Sequence, residues 1–397
     1  MYKLKALFNN KLFILCLWFG LSLLPVIKGV LIYNGSKNNN YNNYLVYKHN
    51  FLNLIHQHSL FGPQPEYYFD LNHYGPVFAF IIAPFTFLPD GIGAILWAFF
   101  NAWILYLAVM KLPLNEKQRL AILLINVITM IGSSGNLEVN PFIAALILFS
   151  FIFINNKQNF WAALMIILGT YIKLYGIVGL AFFFFSDNKT KLVLSLVFWS
   201  VILFVLPMLI SSPSFVITTY HDWYPDLVQK NAANIVSTRA YVCVMGMISK
   251  IFKYSHLPNI LVLIPALFLF GLSFIRLKYW RNLKYQLLML ASTLIFTVIF
   301  SSGSEPPTYI IAFVGVGIWF MNLDRPITGF ERFLIIFALI LTNAPSDIFP
   351  KYLRDKYVIP YALIALPSFI IWLKIIYEML TRKFSNDEYA AKYIVGT

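Results

Sequence analysis

Three carboxylates and one lysine stand where a long apolar sequence gives charge the least reason to be. Glu305 lies in "FSSGSEPPTYIIAF", Glu138 in the turn "SSGNLEVNP", and Asp70 in "YYFDLNHYGP", three residues before His73. Lys173 interrupts "MIILGTYIKLYGIVGLAFFFF". An ionised carboxylate can take a proton from a hydroxyl. An ammonium can hold a phosphate as charge grows on it. Together they are parts of a group transfer to a hydroxyl, with no metal needed if lysine and arginine carry the charge.

Each of these groups also has a plainer role. Glu305 before Pro306 and Pro307 fits the first turn of a helix that Ser304 caps. Asp70 before Leu71 and Asn72 suits an Asx turn. Glu138 is a solvated turn acid if nothing uses it, and Lys173 can snorkel to an interface. The base is therefore open among Glu305, Asp70 and Glu138. Lys230 and Arg239, in "DLVQKNAANIVSTRAYV", join Lys173 as candidates to hold phosphate, with a solvated loop as their plainer setting. His56 and His58 are two apart, no zinc spacing occurs, and Cys16 and Cys243 give no disulfide framework, so neither metal nor cofactor is expected.

The solvent that must surround these groups follows from composition. The 397 residues are 59% hydrophobic and 12% charged, against roughly 25% charged in soluble domains. Mean hydropathy is +0.72. Apolar runs recur from end to end, and a bilayer core leaves peptide groups no partner but a helix. The runs predict an all-α polytopic bundle of about twelve spans, at 12–33, 91–110, 119–134, 138–154, 160–174, 175–187, 192–211, 257–277, 285–302, 308–321, 331–344 and 358–379. Residues 75–88 read as a re-entrant or partial helix, and the orientation of 111–160 stays open. One integral domain is expected, with external loops at 34–74 and 212–256, a third at 345–357, and a cytoplasmic tail at 380–397.

The net charge of +14 lies in short loops between runs, which marks the cytoplasmic side rather than a nucleic-acid partner. The opposite face gathers the long loops, the acids and Lys173. In the first loop, Tyr44, Tyr47, Phe51, Leu54 and Ile55 recur at helical spacing and predict an amphipathic helix with its aromatics at headgroup depth.

The order of these parts resembles glycosyltransferase family 87, membrane enzymes of GT-C architecture that use polyprenyl phosphate sugars. The family's Asp-[Phe/Leu]-x-x-Tyr is similar to "NYLVY", with Asn43 at the acid position and Tyr47 closing the motif. Its aromatic–Pro dipeptide resembles "YGPVFAF". Its Asn-Gly-Gln-x-Asn turn resembles "NLEVN", with Asn136, Glu138 and Asn140. Its Lys-x-[Pro/Tyr] ending resembles Lys173 and Tyr175, and its late Ser-Pro-rich turn resembles "SSGSEPPTY". The resemblance covers most of residues 12–345. It implies a mannosyltransferase-like hexosyltransferase whose partners are a polyprenyl phosphate sugar, a lipid or glycan acceptor and the bilayer. It places Asn43, Tyr47, Asn136, Asn140, Lys173 and Tyr175 at the substrate, and His73, beside Asp70 in sequence, is a further substrate-binding candidate with a turn histidine as its plainer role. The expected location is the cell membrane, a bacterial inner membrane, with the active face external or periplasmic. Asn43 cannot take a proton, so another acid must, or the chain is a non-catalytic scaffold. A transporter or flippase of lipid-linked sugars is the other rival, but it would place polar groups at mid-membrane in repeated halves.

Overall fold

The computed structural model describes residues 10–32, 41–237, 240–254, 257–344 and 349–384. Every regular element among them is helical, and no strand occurs among them. In chain order the main helices are α1 (Lys11–Ile32), α2 (Asn42–His56), α3 (Phe78–Thr86), α4 (Asp90–Met110), α5 (Glu116–Gly135), α6 (Asn140–Asn155), α7 (Asn159–Lys173), α8 (Lys189–Val205), α9 (Pro213–Val236), α10 (Val244–Phe252), α11 (Ile260–Leu272), α12 (Leu283–Ile299), α13 (Tyr309–Met321), α14 (Gly329–Leu341) and α15 (Ala365–Thr381). A 3-10 run, Tyr175–Phe185, follows α7.

Four of these are long and apolar enough to cross a bilayer: α1, α4, α5, and α8 with its continuation to Leu209. Six further apolar segments run 10 to 17 residues. Helix length alone therefore supports a membrane protein but not the count of twelve crossings. The partial helix expected at 75–88 is α3, nine residues with Pro84 inside, about 14 Å long and too short to span.

Two compact units divide the chain. The first takes the chain up to Lys111, Met130–Leu180 and Asn188–Lys230. Here α2 is inserted rather than laid on a surface. Tyr44, Tyr47, Phe51 and Leu54 are buried. Tyr47 meets Tyr74, Phe78 and Trp97 edge-on, with ring centres 5.1, 5.2 and 5.7 Å away. The aromatics expected at headgroup depth thus face protein, and only Ile55 of that set is exposed. Lys48 reaches Asp90 at 2.6 Å and the Tyr44 hydroxyl donates to the Phe85 carbonyl at 2.8 Å. These contacts, with those of Tyr47, pin one side of α2 to α3 and α4, and Asn43, Tyr47 and Asn50 share a stripe at helical spacing.

The second stretch read as a loop, 212–256, is mostly helical. α9 alone takes 24 residues. Its mixed polarity hides it from hydropathy, yet Val216, Thr219 and Trp223 bury one face at intervals of three and four.

The break after Lys173 is the most informative backbone feature. Leu174 takes φ 43°, a left-handed cap whose N–H bonds back to Thr170. The chain then returns along α7. A Cβ on Gly176 would meet Gly169 and Thr170 backbone at 2.4 Å, and one on Gly179 would meet Ile166 at 2.7 Å. The two arms are each about 22 Å long, and Lys173 sits at their tip. Because the obstacle at Gly176 is backbone, Gly176→Ala cannot be relieved by a side-chain rotation. It is expected to destabilise the protein by about 1–3 kcal/mol, read as a lowered melting temperature in detergent, with Gly132→Ala, which meets nothing within 4 Å, as the control.

The second unit takes Leu112–Thr129, Ala181–Asp187 and the chain from Asn231. Its core is α12 against α13 and α15, with Trp372 donating to Ser292 at 3.0 Å. At the start of α14, Arg325 grips Glu331 through both terminal guanidinium nitrogens, and Lys374 bridges to Glu378 at 2.9 Å. Glu305 itself occupies the cap position before Pro306–Thr308, and its N–H donates to the Thr308 hydroxyl at 3.2 Å. The Ser304 hydroxyl turns instead to the Val298 carbonyl at 2.6 Å. The expected cap is therefore one residue later than Ser304.

Candidate active site

Three turns of the first unit bring separate motifs together. The first is the end of α5. Leu137 adopts φ 54°, its N–H bonds to Ser134 and that of Glu138 to Ser133. This is a left-handed helix stop made with leucine where glycine is usual. It ejects Glu138 just past the helix end, and Pro141 then opens α6 with Asn140 in its first turn.

The Glu138 carboxylate accepts from two amides, Asn43 Nδ2 at 3.4 Å and Asn140 Nδ2 at 3.1 Å, one on each oxygen. Both oxygens acting as acceptors is what an ionised carboxylate offers. Asn43 Nδ2 also donates to the Asn136 carbonyl at 2.8 Å. The amide at position 43 is thus used as a donor. A carboxylate there would face a carbonyl and a second carboxylate. Asn136 contributes its backbone, while its side chain turns back to Gly132 at 2.8 Å.

The second turn is the α7 tip. Lys173 Nζ donates to Asn140 Oδ1 at 2.9 Å. Fully buried Asn140 therefore carries Glu138 on its nitrogen and Lys173 on its oxygen. The ammonium also lies over the rings of Tyr175 and Tyr74, 5.3 and 5.9 Å from their centres.

The third turn is "HYGP". Tyr74 shares a hydrogen bond with Tyr47, 3.3 Å between hydroxyls, and Asn50 donates to the Tyr74 carbonyl at 3.3 Å. Burial first, then Tyr74 and Glu138, raise the Tyr47 phenol well above its ordinary pKa, so it stays a neutral partner. Gly75 is required by close approach: a Cβ would stand 2.0 Å from the Tyr171 carbonyl and 2.9 Å from Trp223. His73 Nδ1 lies 2.8 Å from Asp226 on α9.

The predicted residues thus sort clearly. Asn43, Tyr47, Asn136, Glu138, Asn140, Lys173 and Tyr175 converge, with Tyr74 as a member that sequence reasoning quoted but did not assign. Asp70 is exposed, and its carboxylate accepts from the N–H of Leu71 next to it at 2.8 Å, a local contact one residue short of the expected Asx turn. Glu305 belongs to the second unit and caps a turn there. Lys230 lies on α9 one turn beyond Asp226. Arg239 lies outside the described residues.

An all-helical membrane protein that holds an acid and a cation on two sides of one amide, at adjoining helix ends, has the parts for group transfer to a hydroxyl. A family model supplies the identity: glycosyltransferase family 87 matches residues 72–302, more than half of the chain, and the chain belongs to that family. It is a glycosyltransferase. The match takes in His73, Tyr74, Glu138, Asn140, Lys173 and Asp226 and begins after Asn43 and Tyr47. No curated protein matches the chain.

Proposed function

We propose that the protein transfers a hexose, mannose by resemblance, from a polyprenyl phosphate to a hydroxyl of a glycolipid, lipid-linked glycan or protein at the external face of the cell membrane. The observation that carries this reading is the bridge Glu138–Asn140–Lys173. Glu138 takes the proton of the acceptor hydroxyl as its oxygen attacks the anomeric carbon. The bond from that carbon to the phosphate oxygen breaks and the electron pair goes to the phosphate. Lys173, half-buried at the α7 tip, meets the charge that grows there. An ammonium has three donors, and Asn140 fixes its direction by taking one. Asn43 and Asn140 keep the carboxylate oriented, as a base must be within reach of its proton.

The direct test incubates purified protein with labelled polyprenyl phosphate hexoses and total membrane lipids. Label moving to a lipid or glycan supports the reading, while label released only as free hexose, or none, opposes it. Sidedness is tested separately. With Cys16 and Cys243 replaced, single cysteines at exposed Glu66 and exposed Lys117 are expected to react with an impermeant thiol reagent from opposite faces. A third single cysteine at exposed Lys189 separates the outcomes. Its reaction from the same face as Glu66 overturns the external placement, while the face from which Lys117 reacts fixes the open orientation of 111–160.

A further inference from the structure

The first unit holds a polar pair that the transfer step above leaves unused. Asp226 on α9 accepts from Nδ1 of His73 at 2.8 Å, and the two side chains are only 9% and 16% exposed. Three residues earlier on the same helix, Trp223 Nε1 donates to the His73 carbonyl at 2.9 Å. α9 therefore fixes both the ring and the backbone of this residue. In the neutral imidazole the proton sits on Nδ1, since an ionised carboxylate only accepts, and Nε2 keeps a lone pair.

That lone pair is closed off from water and has no hydrogen-bond partner among the described residues. Buried polar atoms are nearly always paired, so an orphan of this kind needs an explanation. Its location suggests one. The next residue, Tyr74, sets its ring 5.9 Å from Lys173 Nζ, and Gly75 donates to the Ile172 carbonyl at 3.3 Å. His73 thus stands beside the tip that carries Lys173.

We propose that His73 Nε2 accepts a hydrogen bond from a hydroxyl of the transferred sugar, with Asp226 holding the ring in place while the groups that now cover Nε2 give way to the sugar. A lone pair needs a hydrogen, which each sugar hydroxyl supplies and the ionised phosphate diester of the donor, with no O–H, does not. The role is positioning and selection, and no proton is transferred at His73. The inference rests on the glycosyl-donor reading above.

The test uses the polyprenyl phosphate hexose that the full-length protein uses best, and its analogues with one hydroxyl at a time replaced by hydrogen. Each is read twice, as kcat/KM for transfer and as heat stabilisation of the purified protein. In the parental protein one analogue is expected to lose about 10- to 100-fold in kcat/KM. His73→Asn keeps an amide N–H where Nδ1 bonds Asp226 and has no atom at the Nε2 position. It should use that analogue as well as the intact sugar, while its penalties at the other positions match the parental ones. His73→Gln places an amide oxygen near the Nε2 position and should restore part of the discrimination. It also serves as the second variant if His73→Asn does not fold. Identical penalties at every hydroxyl in parental and variant proteins overturn the contact while leaving the donor reading intact. Neither transfer nor stabilisation of the parental protein by any polyprenyl phosphate hexose overturns the donor reading and this inference with it.

Discussion

Glu138→Gln is expected to lower sugar transfer by about two orders of magnitude or more, the scale of lost general-base catalysis, while binding of the donor survives. The substitution preserves shape. The glutamine carbonyl can still accept from one of the two amides that now serve the carboxylate, Asn43 at 3.4 Å or Asn140 at 3.1 Å. Its NH2 must then face the other, so a modest structural effect is expected beside the large chemical one. Geometry offers a sharper arm. Asn43 and Glu138 are an amide and an acid in contact, and the family's pattern carries them in the opposite order. Adding Asn43→Asp to Glu138→Gln moves the carboxylate to the other end of the same hydrogen bond and is expected to recover part of the lost rate. Asn43→Asp alone sets two carboxylates against each other beside the Asn136 carbonyl and should depress transfer. Asp70→Asn and Glu305→Gln are expected to stay near the parental rate, since those side chains serve local turns. Parental activity in Glu138→Gln, or loss in Asp70→Asn or Glu305→Gln alone, removes Glu138 from the base position.

What the sequence disclosed of this site depended on how local each signal was. Helical periodicity in "NYLVYKHNF" placed a helix at the right residues, because spacing of three and four is a local property. It could not say that Tyr44 and Tyr47 pack inward rather than against headgroups, since both environments reward an aromatic stripe. The end of α5 was visible as a turn, but its left-handed residue is Leu137 rather than a glycine, so nothing marked Glu138 as the residue thrown clear. Leu174 at the α7 tip repeats this pattern. Asp70, Glu138 and Glu305 stood level in the sequence because each sits in a polar break in apolar sequence. What separates them is who donates to each carboxylate: for Glu138 one donor, Asn140, is two residues away, and the other, Asn43, is on α2 and 95 residues away in sequence. The pairing of His73 with Asp226 spans 153 residues and has no local trace. α9 escaped for a different reason: a helix half polar and half apolar falls below the hydropathy of a span and so reads as a loop.

Lys173→Met is the complementary test, on the donor side. Methionine keeps an unbranched stem of similar reach, and its thioether packs well against aromatic rings, so Tyr74 and Tyr175 lose little contact. What disappears is the charge and the hydrogen bond to Asn140 Oδ1. Asn140 is fully buried, so its carbonyl is left short of a donor, at a cost of about 1–3 kcal/mol of stability. That loss is small enough for a folded protein to persist and is measured directly by thermal unfolding. The effect on catalysis should be larger. If Lys173 meets charge that develops on the leaving phosphate, its removal lowers kcat/KM by roughly 10²–10³. The drop should shrink as the donor is replaced by one with a better leaving group, because less stabilisation is then needed. Lys173→Arg keeps the charge but not the compact ammonium that Asn140 and two tyrosines surround, and is expected to fall between the two. A Lys173→Met protein that turns over at the parental rate with limiting donor would show that the lysine only orders the α7 tip. In that case the phosphate must be held by other cations, and the bridge through Asn140 would serve to position Glu138 alone.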